Sequence, residues 1–149
     1  MSIRSQAIAW AKKNQLRDGK SWQGWCQSLA WRLSDAIGHA SNPSAGSAAE
    51  AARQAFKHSR NPWAAQAPAG AFHYWEIPGT TDGHVAIDLS GRGKEVLMAS
   101  KNVKKLYGLA MGTTDVWTYT KAVNGKYLGW SYYNGVNGYV ALPKPKLQK

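Results

Sequence analysis

The amino-acid sequence predicts an α+β fold in which N-terminal helices pack against a C-terminal antiparallel sheet of about five to six strands. Three observations carry this. Apolar residues recur at helical spacing up to about residue 60, the pattern switches to alternation near Gly70, and the remainder is cut into short segments by Gly, Asn and Asp turns. A chain of 149 residues is the size of one ordinary domain. That domain is placed at residues 1–142, with helices over about 3–60 and the sheet over about 70–142, followed by a Lys/Pro-rich tail or linker stub at 143–149.

Ser2 can cap a first helix whose residues Ile3, Ala7, Ile8 and Ala11 share one stripe, and Asp18-Gly19 breaks the chain after it. In a second helix Cys26, Leu29, Ala30, Leu33 and Ile37 fall at i, i+3, i+4, i+7 and i+11, and Gly38 can terminate it. Ser41 to Gly46 reads as loop. The third helix opens with the capping-box pattern Ser47-Ala48-Ala49-Glu50 and runs through Ala51, Ala52, Ala55 and Phe56 until Asn61-Pro62 stops it. Strands are expected at 71–76, 84–89, 95–100, 114–120, 127–133 and 138–142, with Asn124-Gly125 as a hairpin turn. The helices are expected on one side of this sheet.

Lys and Arg number 19 against 8 Asp and Glu, a net charge of +11, although charged residues make up only 18% of the chain. The basicity therefore comes from scarce acids, and anionic surfaces or polymers are the expected partners. The charge is uneven: residues 1–88 carry +3 and residues 89–149 carry +8. Eight Trp and seven Tyr exclude a disordered basic tail, because that much aromatic surface demands burial or a ligand. The single cysteine excludes an internal disulfide framework. The first twenty residues hold no apolar run of signal-peptide length, and no later stretch reaches the roughly 18 apolar residues of a membrane span, so no membrane insertion is expected. Neither His-Glu-x-x-His nor Cys-x-x-Cys occurs, so no metal or other cofactor is expected. No Gly-rich phosphate loop, RNA-binding aromatic signature or helix-turn-helix spacing supports nucleic acid as a partner.

Two residues stand out as carriers of chemistry. Cys26 falls at the first turn of its helix, where the positive end of the dipole lowers a thiol's pKa toward the reactive range; its bland role is a small buried hydrophobe. In Asp82-Gly83-His84-Val85-Ala86-Ile87-Asp88-Leu89 the Asp-Gly turn delivers His84 to the start of a strand. Val85, Ile87 and Leu89 then form the buried face, while His84, Ala86 and Asp88 share the other, an arrangement suited to a general base facing a helix end. The turn Ser90 to Lys94 folds 95–100 back along 84–89 and brings Ser100 opposite His84. Trp22 and Trp25 flank Cys26 and are expected to wall a cleft, with Gln23 beside them.

This pattern resembles the cysteine- and histidine-dependent amidohydrolase/peptidase (CHAP) family. The resemblance rests on Cys26 at the start of an early helix, the alanine-rich helix after it, Pro68-Ala69-Gly70 before the first strand, and Gly83-His84-Val85-Ala86-Ile87; it spans residues 20–102. It implies a papain-like arrangement, shared with NlpC-type cell-wall peptidases, and cleavage of peptidoglycan amide bonds by a cysteine nucleophile, as in many phage endolysins. Cys26, His84 and Asn102 are the catalytic residues it implies. The family's Glu-x-Asn corresponds to Ser100-Lys101-Asn102, which leaves Ser100 and Asp88 as alternatives for orienting the imidazole. The family's Gln before the nucleophile is Trp25 here, with Gln23 nearby, so the Cys26 backbone N–H is the expected oxyanion donor. An NlpC-type third residue would be a histidine at Met98. The resemblance further implies a monomer made in a host cytoplasm without a signal peptide, acting at the bacterial cell wall on peptidoglycan and anionic wall polymers, either as endopeptidase or as N-acetylmuramoyl-L-alanine amidase. The competing class is a noncatalytic module whose aromatic strands and surplus positive charge bind cell wall or nucleic acid.

Overall fold

A computed structural model describes residues 2–37 and 46–135. Gly38, the strand expected at 138–142 and the tail at 143–149 lie outside the described residues. Three helices come first, α1 (Ile3–Lys13), α2 (Cys26–Ala36) and α3 (Ala48–Ala55). Strands β1 (Phe72–Glu76), β2 (His84–Asp88), β3 (Val96–Met98), β4 (Lys105–Gly108) and β5 (Met111–Thr114) follow, then helix α4 (Val116–Ala122) and strand β6 (Lys126–Ser131). The fold is α+β, and its six strands form one antiparallel sheet in the order β4-β5-β3-β2-β1-β6.

Local chemistry sets the helix starts. The Ser2 hydroxyl accepts from the Ser5 amide at 3.0 Å and the Ser47 hydroxyl from the Glu50 amide at 3.2 Å, each cap contributing about 1 kcal/mol. Asp18 and Gly19, both at positive φ, form the tight turn that reverses the chain between α1 and α2, closed by paired Arg17 and Lys20 backbone bonds. Helix α3 ends at Ala55, short of Asn61-Pro62, because tertiary bonds pull the chain toward β6. Ser59 Oγ lies 2.8 Å from Ser131 Oγ, and Asn61 bridges to Trp130.

Residues 114–120, expected as a strand, instead finish β5 and form α4. Asp115 accepts from the Thr118 amide at 3.0 Å and starts the helix, which overrides the β preference of Val116, Thr118 and Thr120. Asn124-Gly125 is not a hairpin turn but the cap that ends α4. Asn124 is left-handed, its N–H donates to Lys121 O, and the Gly125 N–H donates to Thr120 O at 2.9 Å, the bonds of a Schellman motif. Strand β4 and β5 up to Thr113 lie in a stretch, 101–113, that alternation did not mark.

Alternation divides the sheet residues between two faces. Phe72, Tyr74, Val85, Ile87 and Leu97 pack with Leu29 and Leu33 of α2 and the alanines of α1 and α3. Trp75, Ala86, Val96 and Met98 pack on the opposite face with Val116 and Tyr119 of α4. Helices therefore cover both sides of the sheet rather than one. Every residue of β2 is buried in consequence, including His84 and Asp88. A bond from Trp75 Nε1 to Thr120 Oγ1, at 2.8 Å, fastens α4 in place. Among the described residues no helix is long and apolar enough to cross a membrane.

Candidate active site

Helix α2 starts at Cys26 without a side-chain cap, since Trp25 in the capping position makes no such bond. Its first amides are left unengaged by any capping side chain at the mouth of a cleft of about 410 Å³, lined among others by Trp25, Cys26, Gln27, Trp31, Ser47 and Asp82. The thiol donates weakly to the Gly83 carbonyl, 3.9 Å away. Burial pushes the thiol up to about 11, outweighing the backbone amides of Val85, Gln27 and Cys26 itself, which favour the thiolate. The expectation of a thiol lowered by the helix dipole is thus overturned: desolvation is the larger effect in the unliganded cleft.

Gly83 makes this packing possible. Its φ is +69°, and a Cβ there would stand 3.0 Å from Ala49 N and 3.1 Å from Trp75 O. The Ala49 amide donates to Asp82 O at 2.7 Å, so the start of α3 sits directly on the turn that supports the sulfur.

His84 is 5% exposed. Its ring is stacked on Tyr119, centroids 4.6 Å apart, and tilted against Trp75 at 5.5 Å. Nε2 lies 3.3 Å from Met98 Sδ. A thioether accepts weakly and donates nothing, so this contact favours the tautomer with its proton on Nε2. Burial lowers the imidazole to about 3. Cys26 and His84 are therefore each neutral at rest, and no described contact joins the sulfur to the imidazole. The sulfur lies against the backbone on either side of His84, at Gly83 and Val85, while the imidazole packs on the α4 face.

The three candidates for orienting His84 fare differently. Strand β2 pairs with β3 at Ile87–Leu97 and Asp88–Val96, and Ser100 lies beyond these pairs, past the end of β3. Ser100 is hydrogen-bonded to the Tyr119 hydroxyl, and Tyr119 covers the imidazole. Asn102 is exposed, and the bond that engages it is its backbone N–H donating to Ser100 Oγ at 2.9 Å; no described contact joins it to His84. Asp88 is engaged elsewhere. Its carboxylate accepts from the Gly91 and Gly93 amides at 2.6 and 2.8 Å and bonds His73 Nε2 at 2.8 Å, so it closes a turn and holds a different histidine.

Of the expected cleft residues, Trp25 lines the cleft, 48% exposed, with the Arg17 guanidinium 3.6 Å above its ring. Trp22 does not. It is 1% exposed, packs in the helix-side core and donates from Nε1 to Asn14 O at 2.9 Å. Gln23 is exposed and outside the cleft lining, its backbone N–H bonded to Ser21 Oγ. The glutamine that does line the cleft is Gln27, whose buried amide atoms have no hydrogen-bond partner among the described residues. Gln27 was visible beside the nucleophile, on the side opposite to the family's glutamine. Tyr119 was hidden by the strand-like reading of its segment.

His73 has both ring nitrogens engaged, by Asp88 and by the Tyr127 hydroxyl at 2.7 Å. The basic half is plainer in three dimensions. Glu95 bonds Arg4 and Asp115 bonds Lys104, so both acids of residues 89–135 are paired, while Arg92, Lys94, Lys101, Lys105, Lys121 and Lys126 are exposed. No protein-family model matches the chain, and no curated protein matches it.

Proposed function

We propose that the protein is a cysteine hydrolase of amide bonds in bacterial peptidoglycan, with the papain-like logic of a helix-borne thiol and a strand-borne imidazole, used in the manner of a phage endolysin. The observation that carries this is the position of Cys26: on the first turn of an uncapped helix, open to a cleft, with its sulfur against the Gly83–Val85 backbone that presents His84.

In this reading the substrate carbonyl enters between Trp25 and Asp82. The thiol proton passes to His84, the sulfur–carbon bond forms, and the amides of Cys26 and Gln27 receive the developing oxyanion. His84 returns that proton to the leaving nitrogen as the carbon–nitrogen bond breaks. Water, deprotonated by His84, then splits the thioester, releasing the acid and restoring the thiol. Tyr119, bonded to Ser100, keeps the imidazole in place. The exposed bases of the C-terminal half hold the enzyme on an anionic wall.

Cys26→Ala is expected to abolish the clearing of a peptidoglycan suspension while leaving circular dichroism and wall binding unchanged. Clearing at the rate of the parent protein would overturn the proposal. Wall binding without any clearing by the parent protein would favour the noncatalytic module.

A further inference from the structure

Three hollows lie end to end. The Cys26 cleft adjoins a second of about 560 Å³ at the Asp82–Gly83 turn: Asp82 lines the first, Gly83 lines the second, and the Gly83 carbonyl touches the sulfur. The second and a third of about 240 Å³ share Ala49, Arg53 and Glu76. Together they form a trough that leaves the nucleophile, passes over the start of α3 and follows that helix toward Arg60 and Leu128.

Its charges are Arg53, Arg60 and Lys126 against Asp82 near the sulfur and Glu76. Arg60 is already committed, donating from Nε to Leu128 O at 2.8 Å and lying over Phe56. Arg53 stands in the last turn of α3, exposed, and no ion pair engages it among the described residues. A guanidinium's planar fork of donors matches a carboxylate. From Ala49, which grips the Asp82 carbonyl, to Arg53 is one helical turn, about 6 Å, or roughly two residues of extended chain.

We infer that this trough is a subsite for the substrate's peptide, and that Arg53 receives a free carboxylate a few residues from the bond Cys26 attacks. The inference deepens the cysteine-hydrolase reading and rests on it. It makes the preferred substrate an acidic peptide rather than any accessible amide.

The test uses full-length protein carrying Cys26→Ser, which binds without turnover. The probes are soluble peptides released from purified peptidoglycan, either native or with their carboxylates amidated by carbodiimide and ammonia. Trp25 and Trp31 in the cleft report binding through their fluorescence. Adding Arg53→Gln is expected to weaken binding of native peptides about tenfold and to leave binding of amidated peptides unchanged, with Arg53→Lys between. Equal affinity for both peptide forms, an equal loss on both, or no binding at all overturns the subsite. Carboxylate-dependent binding by a parent protein that cleaves nothing would sink the hydrolase reading and leave the trough standing. Cleavage that is indifferent to Arg53→Gln would do the reverse.

Discussion

The face of the sheet under α4 carries two buried histidines on neighbouring strands, and they are solved in opposite ways. His73 is fully satisfied, with Asp88 on one nitrogen and the Tyr127 hydroxyl on the other. Among the described residues His84, paired across the strands with Trp75, faces a thioether and two aromatic rings. A buried polar group without a strong partner costs stability, so the first arrangement serves the fold and the second fits a nitrogen kept for a reaction. Burial is the same at both sites; partnership separates them.

The sharpest way to break this comparison is to remove each ring in turn. His84→Ala is expected to slow peptidoglycan clearing by about a thousandfold, the range of general acid–base catalysis, with a smaller loss in urea unfolding than His73→Ala shows. His73→Ala leaves the Asp88 carboxylate with only its Gly91 and Gly93 amides and takes the bond from the Tyr127 hydroxyl, and is expected to cost about 3 kcal/mol in urea unfolding, with the folded fraction still active. If the two variants behaved alike, the division of labour would be wrong.

Acid distinguishes the sites more gently. A histidine held at about 3 in the fold refuses the proton that the unfolded chain accepts below about pH 6.5. Stability is therefore full above that pH and falls by about 1.4 kcal/mol per unit as pH drops toward 3. Urea midpoints measured across this window should show a shallower slope for His84→Asn than for the parent, and equal slopes would contradict the placement of His84. The smallest effect concerns α4, the cover over His84. Asp115→Ala deletes the α4 cap and the Lys104 bond and should lower stability by about 1 kcal/mol, read as a small drop in melting temperature.

Much of this architecture is legible in the sequence where a local rule decides it. Ser2 and Ser47 announce their helices, Asp18-Gly19 its turn, and the Cys26–Leu29–Ala30–Leu33 stripe its buried face. The failures come where tertiary context chooses between local options. Val116, Trp117, Thr118, Tyr119 and Thr120 suit a strand, yet Asp115 behind them and Asn124-Gly125 ahead bracket a helix. That exchange conceals Tyr119 as the cover of His84 and leaves the second sheet face looking open. Trp22 and Trp25 are alike in sequence, and only the reversal of the chain after α1 decides which is core and which is cleft. The β2–β3 pairing was reachable because the short turn Ser90 to Lys94 joins the two strands. The engagement of Asp88 was not, since nothing local says that Gly91, Gly93 and His73 will converge on it.

The protonated resting thiol also bears on durability in air. With the thiol at about 11, roughly one Cys26 in ten thousand is thiolate at pH 7. Peroxide and disulfides consume thiolates, and the chain has no second cysteine to rescue an oxidised one. Desolvation thus acts as an antioxidant for the chain's single thiol, and under the proposed function that thiol stays protonated until a substrate alters its surroundings.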